Sequence, residues 1–234
     1  MISVIIPVFD GERYIAQAIE SVLDQTLPPD EVFVVDDGSQ DGTREAIARY
    51  GSRVHYHHQS NLGSGAARNW GIRESKGDLL AFLDADDLWL PRRLELQKAA
   101  LDEDPGLDLV FCHMSQFRSP ELSPDEKANL LCDETPQPAP LISCLLARRS
   151  AFERVGPLRT DVKADFIDWY LNAQDMGLRM RTVDVPLVRR RIHPRNFSLT
   201  SKTDVRREYL FMLKASLDRR RVKTNSGIGP RGQA

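Results

Sequence analysis

The 234-residue chain predicts an α/β fold built on a mostly parallel sheet, and three observations carry that expectation. Short apolar runs alternate with segments of helical periodicity through the first hundred residues. The acidic stretches "VVDDGS" and "FLDADD" each close an apolar run, which is where an open parallel sheet gathers the loops that face a ligand. A hydrophobic content of 41% over this length suffices for one sizeable core.

The elements follow in order. "ISVIIPVF" reads as the first strand. Tyr14, Ile15, Ala18, Ile19, Val22 and Leu23 then recur at helical spacing and predict an amphipathic helix. "EVFVVDD" is the second strand. A helix over 42–50, the strand "VHYHHQ", a helix over 64–75, the strand "LLAFLD" and a helix over 91–101 continue the rhythm. Pro91 suits a first helical turn, where its missing N–H is not needed. After the strand "LDLVFCHMSQF" the alternation stops, and residues 118–140, with five prolines, predict a long loop or flap. Beyond it the pattern predicts a strand at 141–147, helices at 150–155 and 165–176, a strand at 179–188 and a helix at 204–218. Residues 222–234 predict a disordered tail after a single domain over 1–221.

A net charge of −2 hides an uneven distribution, since from Pro186 onward thirteen Lys or Arg face three acidic residues. That portion predicts a meeting with anions. The last helix is expected to pack on the domain through Tyr209, Leu210, Met212, Leu213 and Leu217, and two readings stand for the basic flank of Arg206, Arg207, Lys214, Arg219, Arg220, Arg221 and Lys223: solvated, or in peripheral contact with anionic lipid at the inner face of a membrane. Cys112, Cys132 and Cys144 are odd in number and lack CxxC spacing, which predicts inert thiols in a reducing, cytoplasmic setting. "MISVIIPVFDGER" has no basic n-region, its apolar stretch is broken by Pro7, and no later segment has the length of a membrane span. Nothing in the pattern calls for nucleic acid.

"LLAFLDADDLW" sets Asp84, Asp86 and Asp87 directly behind a buried-looking strand. Two carboxylates in a D-x-D turn offer oxygen ligands suited to Mg2+ or Mn2+. The plainer reading is that such loops are often acidic and that Asp86 or Asp87 precedes a helix N-terminus.

Taken together, "SVIIPVFDGERYIAQAIESVLDQT", "EVFVVDDGSQDGT", "NLGSGAARNWGIRESKGDLLAFLDADDLWLPRRLE" and "RRIHPRNFS" resemble the successive motifs of the family 2 glycosyltransferases. The resemblance is dense over 2–101, returns at 178–198, and does not extend in detail to 118–163. It implies the GT-A fold, a Rossmann-type sheet flanked by helices, with a nucleotide-binding half over 1–105 and an acceptor-side half over 106–221. It implies further that Pro7 and Val8 line a nucleotide pocket and that Asp37 accepts from a base imide, as an ionised carboxylate would from uracil or thymine. Asn61, Gly63 and Arg68 would face the nucleotide or its phosphates. Asp84 would meet the ribose or the metal's water shell, and Asp86 the metal itself. His193 would be a metal or diphosphate ligand, and Arg191, in the cluster Arg189, Arg190, Arg191 and Arg195, would suit the diphosphate.

The activity so implied is transfer of a sugar, with inversion, from a nucleoside diphosphate sugar, UDP foremost, to a glycan, lipid-linked, protein or small-molecule hydroxyl. The metal would neutralise the leaving diphosphate and a carboxylate would take the acceptor's proton. Members of the family usually place that base in a Glu-Asp pair opening a late helix, whereas this chain has Ala164-Asp165-Phe166. Asp165 and Asp168 both remain candidates. On a helix from 165, Phe166, Trp169, Tyr170 and Ala173 form the buried stripe, so Asp165 lies at its rim and Asp168 further towards solvent. A non-catalytic sugar-nucleotide binding protein stays open as an alternative, and so does a nucleotidyltransferase, although "VFDGERYI" supplies no Gly-rich phosphate loop.

Overall fold

A computed structural model describes residues 1–196 and 202–226, with the side chains of the last helix described over 207–221. In the first half β1 (Ile2–Val8), β2 (Glu31–Asp36), β3 (His55–His58) and β4 (Leu79–Phe82) alternate with α1 (Ile15–Leu23), α2 (Thr43–Ala48) and α3 (Ser64–Glu74). These four strands pair in parallel in the order β3-β2-β1-β4. Both β1 and β4 are buried along their whole length, as strands covered on both faces are. From β1 the chain builds outward to β3 and then returns to β4 on the other side. The carboxyl ends of β1 and β4 therefore frame the crevice of a topological switch point.

The second half adds β5 (Leu88–Trp89), α4 (Arg93–Glu103), β6 (Leu109–Arg118), α5 (Pro124–Asn129), β7 (Gln137–Pro138) and β8 (Leu146–Arg148). It ends with α6 (Arg149–Val155), α7 (Asp165–Asp175), β9 (Met180–Ile192) and α8 (Lys202–Ser226). The sheet runs β3-β2-β1-β4-β8-β6-β9-β5, with β7 on β6. Among the described residues β5, β7 and β8 alone run antiparallel to the rest of the sheet. Two reversals through β8 leave β6 and β9 running the same way as β1 and β4. Six of the described strands, β1, β2, β3, β4, β6 and β9, thus open their carboxyl ends on one edge.

The mixed α/β architecture agrees with the sequence, while several boundaries differ for identifiable reasons. The strand expected over 141–147 is a 3-10 turn at Ile142–Cys144 followed by the short β8, because an apolar run reads alike as strand or buried turn. The expected loop over 118–140 contains α5, opened by a capping box in which Ser123 and Glu126 satisfy each other's backbone N–H, with Pro124 at the first turn. The two-residue β5 was too short to carry a period, and α4 begins at Arg93, two residues after Pro91. β9 continues to Ile192. α8 runs on to Ser226, so the first five residues of the expected tail are helical; residues 227–234 lie outside the described residues, as do Phe197 and Ser198 of the last motif. Cys112 and Cys144 are buried free thiols. Among the described residues no helix is long and apolar enough to cross a membrane.

Candidate active site

At the end of β2 the acidic pair folds its own loop. Asp36 accepts from Ser39 N and from the Tyr56 hydroxyl, both at 2.8 Å. Burial, and then the bond to Asp36, push the Tyr56 hydroxyl up to about 12. Asp37 Oδ1 accepts from Gln59 Nε2 at 2.7 Å and Leu62 N at 2.8 Å, and its Oδ2 accepts from Gly63 N at 2.8 Å. With Asp36 at 1% and Asp37 at 4% exposure, these carboxylates face inward. Gly63 stands at φ +92, in the region glycine tolerates best, and serves as N-cap of α3. Asn61 lies exposed in the same loop, and Pro7 and Val8 are buried beside Val35 and Asp36 at the end of β1.

At the end of β4 Asp84 and Asp86 face outward, and a buried cation joins two elements. Arg68, on α3, donates from Nη2 to Asp84 Oδ1 at 2.7 Å and from Nη1 to Asp165 Oδ2 at 2.8 Å. Burial works against the guanidinium charge, but Asp165 and Asp84 more than offset it and raise its pKa. The Nε of Arg68 is buried with no partner among the described residues. Asp165, 6% exposed at the first turn of α7, also accepts from Phe166 N, and the Ser64 hydroxyl lies 3.3 Å from its Oδ2. Asp168 is half-buried and accepts from Asn172 Nδ2 at 3.2 Å. The phase expected for α7 therefore holds. The close approach of α3 to α7 is set by Gly65, where a Cβ would meet Arg159 O at 2.5 Å and Asp165 Oδ2 at 3.0 Å.

Asp84 and Asp86 do not share partners. The Ser143 hydroxyl donates to Asp84 Oδ2 at 2.8 Å and accepts from Asp84 N at 3.2 Å. Asp86 Oδ2 instead meets His193 Nε2 at 3.1 Å and Asn196 Nδ2 at 3.0 Å. Asp87 turns in and accepts from Arg191 N; its burial, then Asp86 and Asp84, push its carboxyl well above the usual range. Arg191 is 2% exposed, its guanidinium between the rings of Tyr14 and Phe117, donating to Asp86 O, Ser119 and Gln17. It borders an open cavity of about 590 Å³ lined also by Arg13, Tyr14, Gln17, Pro120 and Glu121.

Among the described residues no three His, Cys, Asp or Glu side chains converge as a ready-made metal cage. Asp86 and His193 do converge, and their carboxylate and ring nitrogen are the two side-chain groups at this loop that could take a metal, the carboxylate being the donor that suits Mg2+ or Mn2+. Asn196, Ser143 and the Tyr14–Gln17–Ser119 surround of Arg191 were not among the site residues expected from sequence. Asn196 carried a signal, lying three residues beyond His193 in the last motif, whereas Ser143 sits in an apolar run that gives none.

Comparison with known proteins agrees with this architecture. Residues 3–156 match the family model described as glycosyl transferase family 2. An uncharacterized glycosyltransferase of Rickettsia typhi is 39% identical over 113 residues, 48% of this chain and 36% of that protein. One of Nostoc is 33% identical over 172 residues, 67% of this chain and 53% of that protein. The chain thus spans about a third to a half of these two relatives. Among solved structures, S. aureus TarS in complex with UDP-GlcNAc superposes with a TM-score of 0.72 at 19% identity, over 93% of this chain and 66% of that one. Glucosyl-3-phosphoglycerate synthase from Mycobacterium tuberculosis gives 0.66 at 19% identity, over 92% and 78%. At that identity the structures speak for the fold alone, which is the GT-A fold. The family match, over well more than half of the chain, goes further: the chain belongs to glycosyl transferase family 2.

Proposed function

We propose that the chain transfers a sugar from a nucleoside diphosphate sugar, a UDP-sugar foremost, to an acceptor hydroxyl with inversion at the anomeric carbon. The observation that carries this reading is the guanidinium of Arg68, which ties Asp165 of the acceptor-side half to Asp84 of the nucleotide half. One carboxylate is thereby held at the acidic loop yet kept from water. TarS was solved with UDP and with UDP-GlcNAc, and the mycobacterial synthase with Mn2+ and UDP, which supports uridine as the nucleoside.

In this reading Asp165 takes the proton from the acceptor hydroxyl as its oxygen attacks C1 opposite the leaving diphosphate. Arg68 balances the two acids and releases Asp165 to act. Asp168, bonded to Asn172 further round the helix, stands back from the reaction. Asp86 and His193 would hold Mn2+ or Mg2+, with Asp84 reaching its water shell or the ribose, and the metal would neutralise charge on the diphosphate. A cytoplasmic setting goes with the buried thiols Cys112 and Cys144. A second reading, sugar-nucleotide binding without turnover, draws on the same ion pair, since a carboxylate held by a guanidinium must let go before it takes a proton.

Calorimetric titration with UDP and GDP, with Mn2+ and then with EDTA, tests the donor side. UDP is expected to bind more tightly than GDP and to weaken on chelation; GDP preference, or indifference to EDTA, would sink the assignment. Release of UDP from UDP-sugars in the presence of lysate acceptors separates transfer from mere binding.

A further inference from the structure

The helix α8 docks through one face only. Met212 and Ser216 are buried, with Met212 packing on Ala164 and Leu171. Arg219 and Arg220 are held by Asp175 at 2.8 and 2.6 Å, and the Ser216 hydroxyl donates to the same carboxylate. These two arginines, expected to be free for anions, belong to the docked face. Tyr209, Leu210 and Leu217, expected to face the domain, are instead 41%, 58% and 46% exposed, and Phe211 reaches 71%.

The outward side has its own order. Arg207, Leu210, Phe211, Lys214, Leu217 and Arg221 recur at steps of three and four and so share one stripe, and all six are exposed. Three large apolar side chains alternate there with three cations. Among the described side chains of that face the acid is Asp218, which approaches Arg221 only to 3.8 Å.

We propose that this stripe docks on an anionic lipid surface. Apolar side chains on a helix lying in the plane of a bilayer enter the acyl boundary, while Lys and Arg between them reach the headgroups. A second copy is the poorer occupant, because a two-fold contact of the stripe with itself sets cations against cations. The surface also lies close to the site described above: Glu208, next to Tyr209, accepts from Lys163 N at 2.8 Å and Ala164 N at 2.9 Å, just ahead of the turn that carries Asp165. A bilayer under α8 would bring acceptors borne on lipid towards that turn. The docking itself stands independently of the transfer reading.

The test is flotation of the full chain with vesicles of phosphatidylcholine alone and of phosphatidylcholine with about a third phosphatidylglycerol. Binding is expected on the anionic vesicles and is expected to fade as salt is raised. Lys214→Gln should lower partitioning about five-fold, the contribution of one cation near an anionic surface. Leu210→Ser with Phe211→Ser should abolish it while the melting temperature and UDP affinity stay unchanged. Absence of flotation, equal flotation on neutral vesicles, or a dimer in sedimentation equilibrium that Phe211→Ser dissolves would each overturn the proposal. A chain that floats as expected but transfers no sugar would refute the transfer reading alone.

Discussion

The acidic ends of β2 and β4 look alike in sequence and are used in opposite ways. Asp36 and Asp37 are buried, and main-chain amides and neighbouring side chains saturate them. The side chains of Asp84 and Asp86 keep 40% and 30% of their exposure and face Arg68 and His193 instead. A carboxylate that completes its bonds within its own loop organises the fold, because removing it leaves N–H donors without partners. One that keeps open lone pairs beside a switch-point crevice retains the capacity to bind something else. Sequence alone did not separate the two, since both are Asp pairs after an apolar strand.

That contrast can be tested, most forcefully at the carboxylate that Arg68 brings to the outward-facing acids. Asp165→Asn is expected to lower turnover by ~10² to 10⁴-fold at saturating donor and acceptor, with nucleotide affinity kept. Asp168→Asn should do less, and the reverse order would show that the exposed side of α7 carries the base.

Next in size is the pairing of Asp86→Ala with Asp37→Ala. Asp86→Ala should cost transfer ~10² to 10³-fold, several kcal/mol of lost charge stabilisation, and leave the denaturation midpoint near that of the parent. Asp37→Ala should instead cost stability, about 2–3 kcal/mol, because Leu62 N and Gly63 N lose their acceptor. If Asp37→Ala keeps its midpoint and loses UDP affinity, the contrast fails and Asp37 is the base reader that the family pattern implies.

The smallest effect belongs to Glu121, beside the Arg191 cavity. Partial burial opposes its charge, but the Tyr14 and Ser119 hydroxyls donate to it and bring its carboxyl down to about 2, from an ordinary 4.5. A depressed folded value means stability that is present above the unfolded value and lost as pH falls through the folded one. Chemical denaturation between pH 5 and pH 2, values on the order of the carboxylate range, should show a steeper acid loss for the parent than for Glu121→Gln.

Much of the first half was legible because its elements are local. The strands β1, β2 and β4 are contiguous apolar runs and α1 repeats its helical period, and the strands pair in the order in which the chain makes them, with one crossover. The acceptor-side half resisted because its elements answer to distant partners. β5 exists only because Leu88 and Trp89 pair with Arg189 and Val188, about a hundred residues on. Ser143 matters through Asp84, 59 residues earlier. The inward face of α8 differs in part for a related reason. Met212 and Leu213 pack on the domain as expected, whereas Tyr209, Leu210 and Leu217 do not, and Ser216 with two arginines joins the inward face by serving Asp175.

Gly65 has a consequence for how far this protein can be stabilised. Glycine inside a helix costs about 1 kcal/mol relative to alanine, and α3 carries two that are closely packed, Gly71 against Ile5 and Gly65 against Arg159 and Asp165. Alanine is the usual remedy in a helix, and at position 65 it would place a methyl group where the Asp165 carboxylate and a main-chain oxygen already stand. The helix therefore stays weaker than its length allows so that two halves of the chain can come within one guanidinium of each other. Thermal robustness and a working distance between Arg68 and Asp165 compete for the same few ångströms, and the native residue favours the distance.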